Sequence, residues 1–160
     1  FGVMFFDDPV AAFKNLYRAL RPGGRVAFIC WQPAKDNEWI KASLETVARH
    51  ISLPDSSGPE DPGPMSFGDP ERVRRILTRS GFSNIEISNC DTSFTVGSNL
   101  DEAVSFLMQL GPAGAAIAQA DAGERVKSNI AADLREMLVP YNTGVGVTMG
   151  AATLIVTANG

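Results

Sequence analysis

Few side chains in this sequence could perform acid–base chemistry, and the neighbouring carboxylates Asp7 and Asp8 are the clearest candidates. Two adjacent carboxylates could divide the roles of general acid and general base. Asp8, however, is followed by Pro9 and a helical pattern of apolar residues, so helix capping explains it without catalysis. Asp7 is expected to be solvated. The pair therefore does not predict a catalytic site.

Metal and thiol chemistry have equally little support. The two cysteines, Cys30 and Cys90, are far apart, neither lies in a CxxC motif, and His50 is the only histidine. These residues cannot supply the Cys and His ligands of a structural zinc site, which is excluded. Cys30 lies in an apolar segment and is expected to be a buried hydrophobe. The cysteine usage predicts a reducing, cytoplasmic environment.

Two further groups of ionisable residues have simple explanations. Arg72, Arg75 and Arg79 recur at helical spacing and could bind a phosphate or an acidic partner, but a solvated helix face is the simpler interpretation. His50 falls near a predicted helix end, where the helix dipole or plain exposure explains it.

The most regular local pattern covers residues 1–31. Asp8 and Pro9 start a helix, and the run Leu20-Arg-Pro-Gly-Gly-Arg25 ends it in a tight turn. Val26–Trp31 is apolar without alternation, which predicts a strand covered on both faces. With a strand ending near Phe6, this predicts a right-handed βαβ unit in a parallel sheet. Because the chain begins inside that unit, we expect it to be the second half of a larger domain.

The remaining segments alternate between helical patterns and loops. A stretch rich in proline and glycine, residues 53–69, predicts an irregular loop of the length typical of a functional flap, with disorder as the alternative. We expect one domain over residues 1–160, with residues 33–68 and 98–150 as insertions. Helices are predicted at 36–51, 69–81, 98–111 and about 121–140, and strands at 82–96 and 152–158.

Composition excludes two classes of partner. The net charge of −4 and the pI of about 4.9 argue against a nucleic-acid surface, which normally needs clustered positive charge. The longest apolar runs are far shorter than the ~20 residues that cross a bilayer, so no membrane insertion is expected. The expected partner is a small-molecule substrate.

The order of these elements resembles the C-terminal half of class I S-adenosylmethionine-dependent methyltransferases. In that family the segment after the fourth strand often reads F-A-L-H-H-L-P-D-P and is followed by a helix and L-R-P-G-G. Here Phe1-Gly-Val-Met-Phe-Phe-Asp-Asp-Pro9 and Leu20-Arg-Pro-Gly-Gly24 occupy the same places, with Met4 and Phe5 instead of the histidine pair. The resemblance implies an α/β fold with a partial doubly wound sheet and helical insertions.

The resemblance also implies methyl transfer from S-adenosylmethionine to a small or medium-sized acceptor. No segment matches the family's glycine-rich loop or its ribose-binding acid, so the chain alone is expected to be inactive, and its cofactor contacts fall to Phe1 and Gly2. Ligands of open α/β sheets bind beyond the carboxyl ends of the strands. The expected substrate-pocket residues are therefore Met4, Phe5, Trp31, Gln32 and Trp39, although core packing explains the apolar members equally well.

Two other functions stay open on the sequence. The chain could be a non-catalytic binding or oligomerisation module derived from the same fold, or part of another doubly wound enzyme such as a reductase. A strand left without its neighbour is a template for pairing with another chain. We therefore expect the isolated chain to form a homodimer.

Overall fold

A computed structural model describes residues 1–54, 58 and 61–160. It contains both helices and strands, with three α-helices in succession before the last strand, which confirms the α/β fold class and the predicted helical segments there. The main elements are α1 (Pro9–Ala19), β1 (Arg25–Trp31), α2 (Glu38–Val47), α3 (Pro70–Arg79), β2 (Ser83–Gly97), α4 (Leu100–Gln109), α5 (Gly111–Gln119), α6 (Glu124–Leu138) and β3 (Val147–Asn159). Short 3-10 helices cover Gly2–Phe5, Ala34–Asp36 and Val139–Tyr141.

The three strands form one antiparallel sheet in the order β1-β3-β2. β1 pairs with β3 from Arg25 opposite Asn159 to Trp31 opposite Thr153. The Thr153 hydroxyl donates to the Cys90 carbonyl at 3.0 Å, and the Thr148 and Thr95 hydroxyls lie 3.4 Å apart. Residue numbers thus rise along β3 as they fall along β2, so this pair is antiparallel as well.

The predicted parallel βαβ unit is wrong for the described residues. Gly2–Phe5 is a 3-10 helix rather than the end of a strand. The backbone there is bonded to a loop instead of a ladder, because the Met4 carbonyl accepts from the Gly63 N–H at 3.0 Å and the Ser66 hydroxyl at 2.7 Å. The described part of the predicted flap is therefore bonded to the 3-10 helix Gly2–Phe5. Residues 55–57 and 59–60 lie outside the described residues.

The prediction that β1 is covered on both faces is also wrong. Phe28 and Cys30 point into the core, whereas Ala27 and Ile29 are exposed. Ile29 lies opposite Ile155 of β3, which is exposed as well. An apolar run alone does not distinguish a strand buried on both sides from one with an open apolar face.

The two Asp-Pro helix starts are confirmed. In α1 the Asp8 carboxylate accepts from the Ala11 N–H, and in α3 the Asp69 carboxylate accepts from the Glu71 N–H, both at 2.9 Å. The Pro-Gly-Gly turn also forms, and Gly23 adopts φ +73°, a conformation that favours glycine. These features are local, so the sequence determines them directly.

The predicted solvated arginine face needs one correction. Arg72 is only 9% exposed, and its Nε donates to the Ser66 carbonyl at 2.9 Å. Arg75 is exposed and lies 3.9 Å from the Asp69 carboxylate. The loop before α3 folds back over the helix and buries Arg72, which helical spacing does not reveal.

The chain forms two compact units. The first contains Phe1–Ala34, the described residues of Ser57–Asp91, and Ala152–Gly160; the second contains the described residues of Lys35–Ser56 and Thr92–Ala151. The second unit thus draws residues from both segments predicted as insertions.

The core of the first unit is aromatic. Phe13 of α1 is fully buried, and four other phenylalanine rings lie within 6.2 Å of its centroid: Phe6, Phe28, Phe67 and Phe82. Helices α1 and α3 place this cluster against one face of the sheet, where Leu154 and Val156 of β3 complete it.

The second unit is mainly helical. Helix α5 packs with α4 and α2, and α6 packs with the same two helices. His50 is half-buried rather than a free helix end, and its Nε2 lies 2.8 Å from the Asp133 carboxylate of α6. Within the described ranges, no helix combines the length and apolarity that a membrane span needs.

Candidate functional site

The carboxyl end of β1 carries a pair of stacked aromatic rings. Trp31 is the last residue of the strand, and its ring lies against that of Phe1 with 4.5 Å between centroids and 27° between planes. Phe1 is 51% exposed and Trp31 is half-buried. The pair offers an accessible π surface, which suits apolar, flat or cationic groups.

Gln32, the next residue, is bound to the last strand. Its backbone N–H donates to the Ala152 carbonyl at 3.0 Å, and its side-chain amide donates to the Thr153 carbonyl at 2.9 Å. The residue is buried. Gln32 therefore fixes the direction in which the chain leaves β1, and through this it positions Trp31.

The first 3-10 helix divides its predicted site residues between core and surface. Met4 is 1% exposed and belongs to the core of the first unit, whereas Phe5 is 56% exposed. A side chain built at Gly2 would meet nothing within 4 Å, so its surroundings are open. Of these residues, Phe5 and Gly2 lie at the surface, and Met4 lies in the core.

Trp39 belongs to the second unit. It is 5% exposed, and its ring packs against Phe94 and Phe106 with centroid distances of 5.1 and 6.3 Å. A Cβ added at Gly111 would lie 2.9 Å from its ring. This packing explains Trp39 as the anchor of α2, and a role in a substrate pocket stays a prediction.

The thiol and carboxylates singled out from the sequence supply no reactive group here. Burial raises the pKa of the Cys30 thiol to about 12, so it stays protonated at neutral pH. Asp8 is occupied as a helix cap, and Asp7 is exposed. No cluster of three or more His, Cys, Asp or Glu residues suited to a metal ion occurs in the part of the chain that the structure describes.

One polar cluster has no counterpart in the sequence analysis. Glu38, the first residue of α2, accepts from the Tyr141 hydroxyl at 2.9 Å through Oε1 and from the Gly150 N–H at 2.8 Å through Oε2. Burial and the Glu38 carboxylate raise the pKa of Tyr141. The two side chains are 103 positions apart, and no motif joins them.

Comparison with known proteins gives only distant similarities. No family model and no curated protein match the sequence. Among solved structures, a candidate methyltransferase from Bacillus halodurans has a TM-score of 0.46 at 12% identity, over 98% of this chain and 65% of that one.

Two similar structures are of phosphoethanolamine N-methyltransferase 2 from Haemonchus contortus. One, with phosphomonomethylethanolamine and S-adenosylhomocysteine, has a TM-score of 0.40 at 15% identity; the other, with S-adenosylmethionine, has 0.36 at 17%. Each comparison covers 98% of this chain and 31% of the Haemonchus contortus chain. This chain thus spans less than two thirds of all three proteins. Because the TM-scores and identities are low, these similarities carry no argument about its activity or ligands.

Proposed function

We propose that a protein containing this chain transfers a methyl group from S-adenosylmethionine to a small or medium-sized acceptor. The observation that carries the proposal is the segment Phe1–Trp31, whose capped helix, Pro-Gly-Gly turn and strand follow the methyltransferase pattern. The segment ends on the Phe1–Trp31 stack, at the carboxyl end of β1.

The stack has the chemistry that the proposal requires. When bound, S-adenosylmethionine supplies a methyl group on a positively charged sulfonium, and aromatic faces attract cations. Phe1 and Trp31 would hold the methyl-bearing end and exclude water from it. Transfer requires in-line approach of the acceptor, so apolar walls that orient the two partners can suffice without an acid or base.

The residues fit only part of the cofactor. Phe1, Phe5 and Trp31 offer apolar surface, and Gly2 leaves room for a ligand. The sequence has no counterpart of the family's glycine-rich loop. We therefore infer that the chain alone binds S-adenosylmethionine weakly and does not turn over.

A titration with one fluorescent side chain tests this assignment. In the Trp39→Phe variant, Trp31 is the only tryptophan, so S-adenosylmethionine should change its emission saturably at millimolar concentrations. The matched Trp31→Phe variant, which reports on Trp39, should not respond. No response of Trp31, or equal responses of both, would contradict the cofactor assignment. Tight micromolar binding would instead contradict the inference that the chain lacks most of the site.

A second candidate function is a non-catalytic oligomerisation module, and the sheet favours it. In the described residues β1 is an edge strand that pairs only with β3, and Ile29 and Ile155 expose an apolar strip beside it. Unpaired edges and exposed apolar strips favour pairing with another chain.

Self-association tests the second candidate. Sedimentation equilibrium at tens of micromolar should show a dimer, which Ile29→Lys should weaken. Leu110→Lys, at an exposed apolar residue of the second unit, is the matched control and should leave it unchanged. A monomer of 17.1 kDa would remove the support for this module.

A further inference from the structure

Glu38 is an exposed carboxylate held in place by two neutral donors from other parts of the second unit. Tyr141 follows α6 and donates to Oε1, and the Gly150 N–H in β3 donates to Oε2. Each carboxylate oxygen thus receives one hydrogen bond. An ionised carboxylate has about four acceptor positions, so about half of them stay open to a ligand.

The surroundings of Glu38 keep it in this position without neutralising its charge. A Cβ at Gly150 would lie 3.0 Å from Oε2, so glycine gives the carboxylate room to reach the backbone. The raised pKa of Tyr141 keeps the phenol neutral and donating at neutral pH. The side chain is therefore held at both carboxylate oxygens while the residue stays exposed.

Glu102 provides a useful contrast within the same unit. It is also an exposed glutamate in the first turn of a helix, where the dipole favours a carboxylate. Both of its donors, the N–H and the hydroxyl of Ser98, reach the same oxygen from the adjoining turn. Helix capping thus explains Glu102, whereas the donors of Glu38 come from two distant segments.

The ion pairs of the described residues do not include Glu38. Examples of such pairs are His50 with Asp133, Arg75 with Asp69, Lys127 with Glu124 and Arg135 with Asp101. An ordered carboxylate without a cationic partner is a suitable position for a cation from solution.

We propose that Glu38 and Tyr141 bind the ammonium group of a small primary amine. The ammonium has three N–H donors and no acceptor. It donates to open lone pairs of Glu38, and the phenolic oxygen of Tyr141 accepts a further bond. Calcium would need about 6–8 oxygen ligands, which one carboxylate and one phenol do not supply. This site does not depend on the proposed methyl transfer.

The Gly150 amide reports directly on the site, because its N–H is bonded to Glu38. In ¹⁵N–¹H spectra of the full chain, ethanolamine hydrochloride should shift the Gly150 resonance progressively at roughly tens to hundreds of millimolar, since one exposed ion pair is weak. Sodium chloride at equal ionic strength and ethylene glycol, which lacks the ammonium, should not. The Ser98 amide, bonded to Glu102, is the internal control and should move little.

Three variants separate this site from general ion binding. Glu38→Gln should weaken the ethanolamine response about tenfold, because the charge-assisted bond is lost. Tyr141→Phe should weaken it less, and Glu102→Gln should leave it unchanged. Equal shifts of Gly150 and Ser98 in the unmodified chain, or an unaltered response in Glu38→Gln, would overturn the proposal. The Gly150–Ser98 comparison decides the matter even if a variant fails to fold.

Discussion

The two tryptophans have opposite surroundings, although they lie only eight positions apart in the chain. Trp31 ends β1 in the first unit and stacks on the half-exposed ring of Phe1. Trp39 lies in the first turn of α2 in the second unit, where Phe94 and Phe106 bury it. One tryptophan is partly exposed, and the other is buried in a core.

The residues that contact the two tryptophans lie at different distances from them along the chain. Phe94, Phe106 and Gly111, which enclose Trp39, follow it by more than fifty positions in the chain. Phe1, by contrast, precedes Trp31 by thirty positions, and the helices, turn and strand of residues 2–30 connect the two. The comparison therefore separates a half-buried tryptophan, which we propose for binding, from a buried one, which we expect to stabilise the fold, and each prediction below tests that separation.

The largest effect is expected from truncating the buried tryptophan. Trp39→Ala should lower the free energy of unfolding by about 3–5 kcal/mol, the range for a buried aromatic replaced by alanine. Denaturant unfolding followed by circular dichroism measures the loss. If Trp39→Ala costs no more than Trp31→Ala, the assignment of Trp39 to the core is wrong.

The next effect concerns the glycine beneath that ring. Gly111 adopts φ +71°, and a Cβ there would lie 2.9 Å from Trp39. Gly111→Ala should therefore cost about 1–3 kcal/mol through backbone strain and displacement of the ring. The same unfolding measurement applies.

Gly144→Ala is the matched control for Gly111→Ala. Gly144 has a similar φ of +84°, but a Cβ there would meet nothing within 4 Å. Gly144→Ala should therefore lower the free energy of unfolding only by the cost of the strained backbone conformation, without a cost from a steric contact. Equal losses at both positions would mean that the contact with Trp39 contributes nothing.

Truncating the half-buried Trp31 should lower stability less than truncating Trp39 does. Trp31→Ala removes the stack on Phe1 and part of the apolar contact with the core, for which we expect about 1–2 kcal/mol. The fold should persist in circular dichroism. A loss as large as that of Trp39→Ala would show that Trp31 is a core residue and would weaken the case for a binding surface at the end of β1.

Features set by a few adjacent residues could be predicted from the sequence. The caps at Asp8 and Asp69, the turn at Gly23 and the burial of Cys30 follow from local chemistry or apolar context, and the structure has all of them. The α/β class follows from the order of such segments. The sequence predicts the ends of elements less well: the last strand is predicted to begin at Ala152, but β3 begins at Val147.

Features that join distant segments could not be predicted in this way. The Met4 carbonyl bonds to a loop about sixty positions away, which replaces the expected first strand by a 3-10 helix. The contact between Glu38 and Tyr141 and the burial of Arg72 depend on similar long-range folding. At the candidate site, the sequence named Phe1, Trp31 and Gln32, but it contains no signal for their contacts with one another or with β3.

The smallest perturbation gives the most direct test of the comparison. In Trp39→Phe the only tryptophan is the half-buried Trp31, and in Trp31→Phe it is the buried Trp39. Both substitutions keep an aromatic ring, so each should cost less stability than the corresponding alanine. Acrylamide should quench Trp31 emission strongly and Trp39 emission weakly, and Trp39 should emit at shorter wavelength because its ring is shielded from water. Spectra recorded in denaturant, where both rings are exposed, supply the reference for each variant. Equal native quenching would mean that the two tryptophans do not differ in accessibility, and the division between a binding surface and a core anchor would fail.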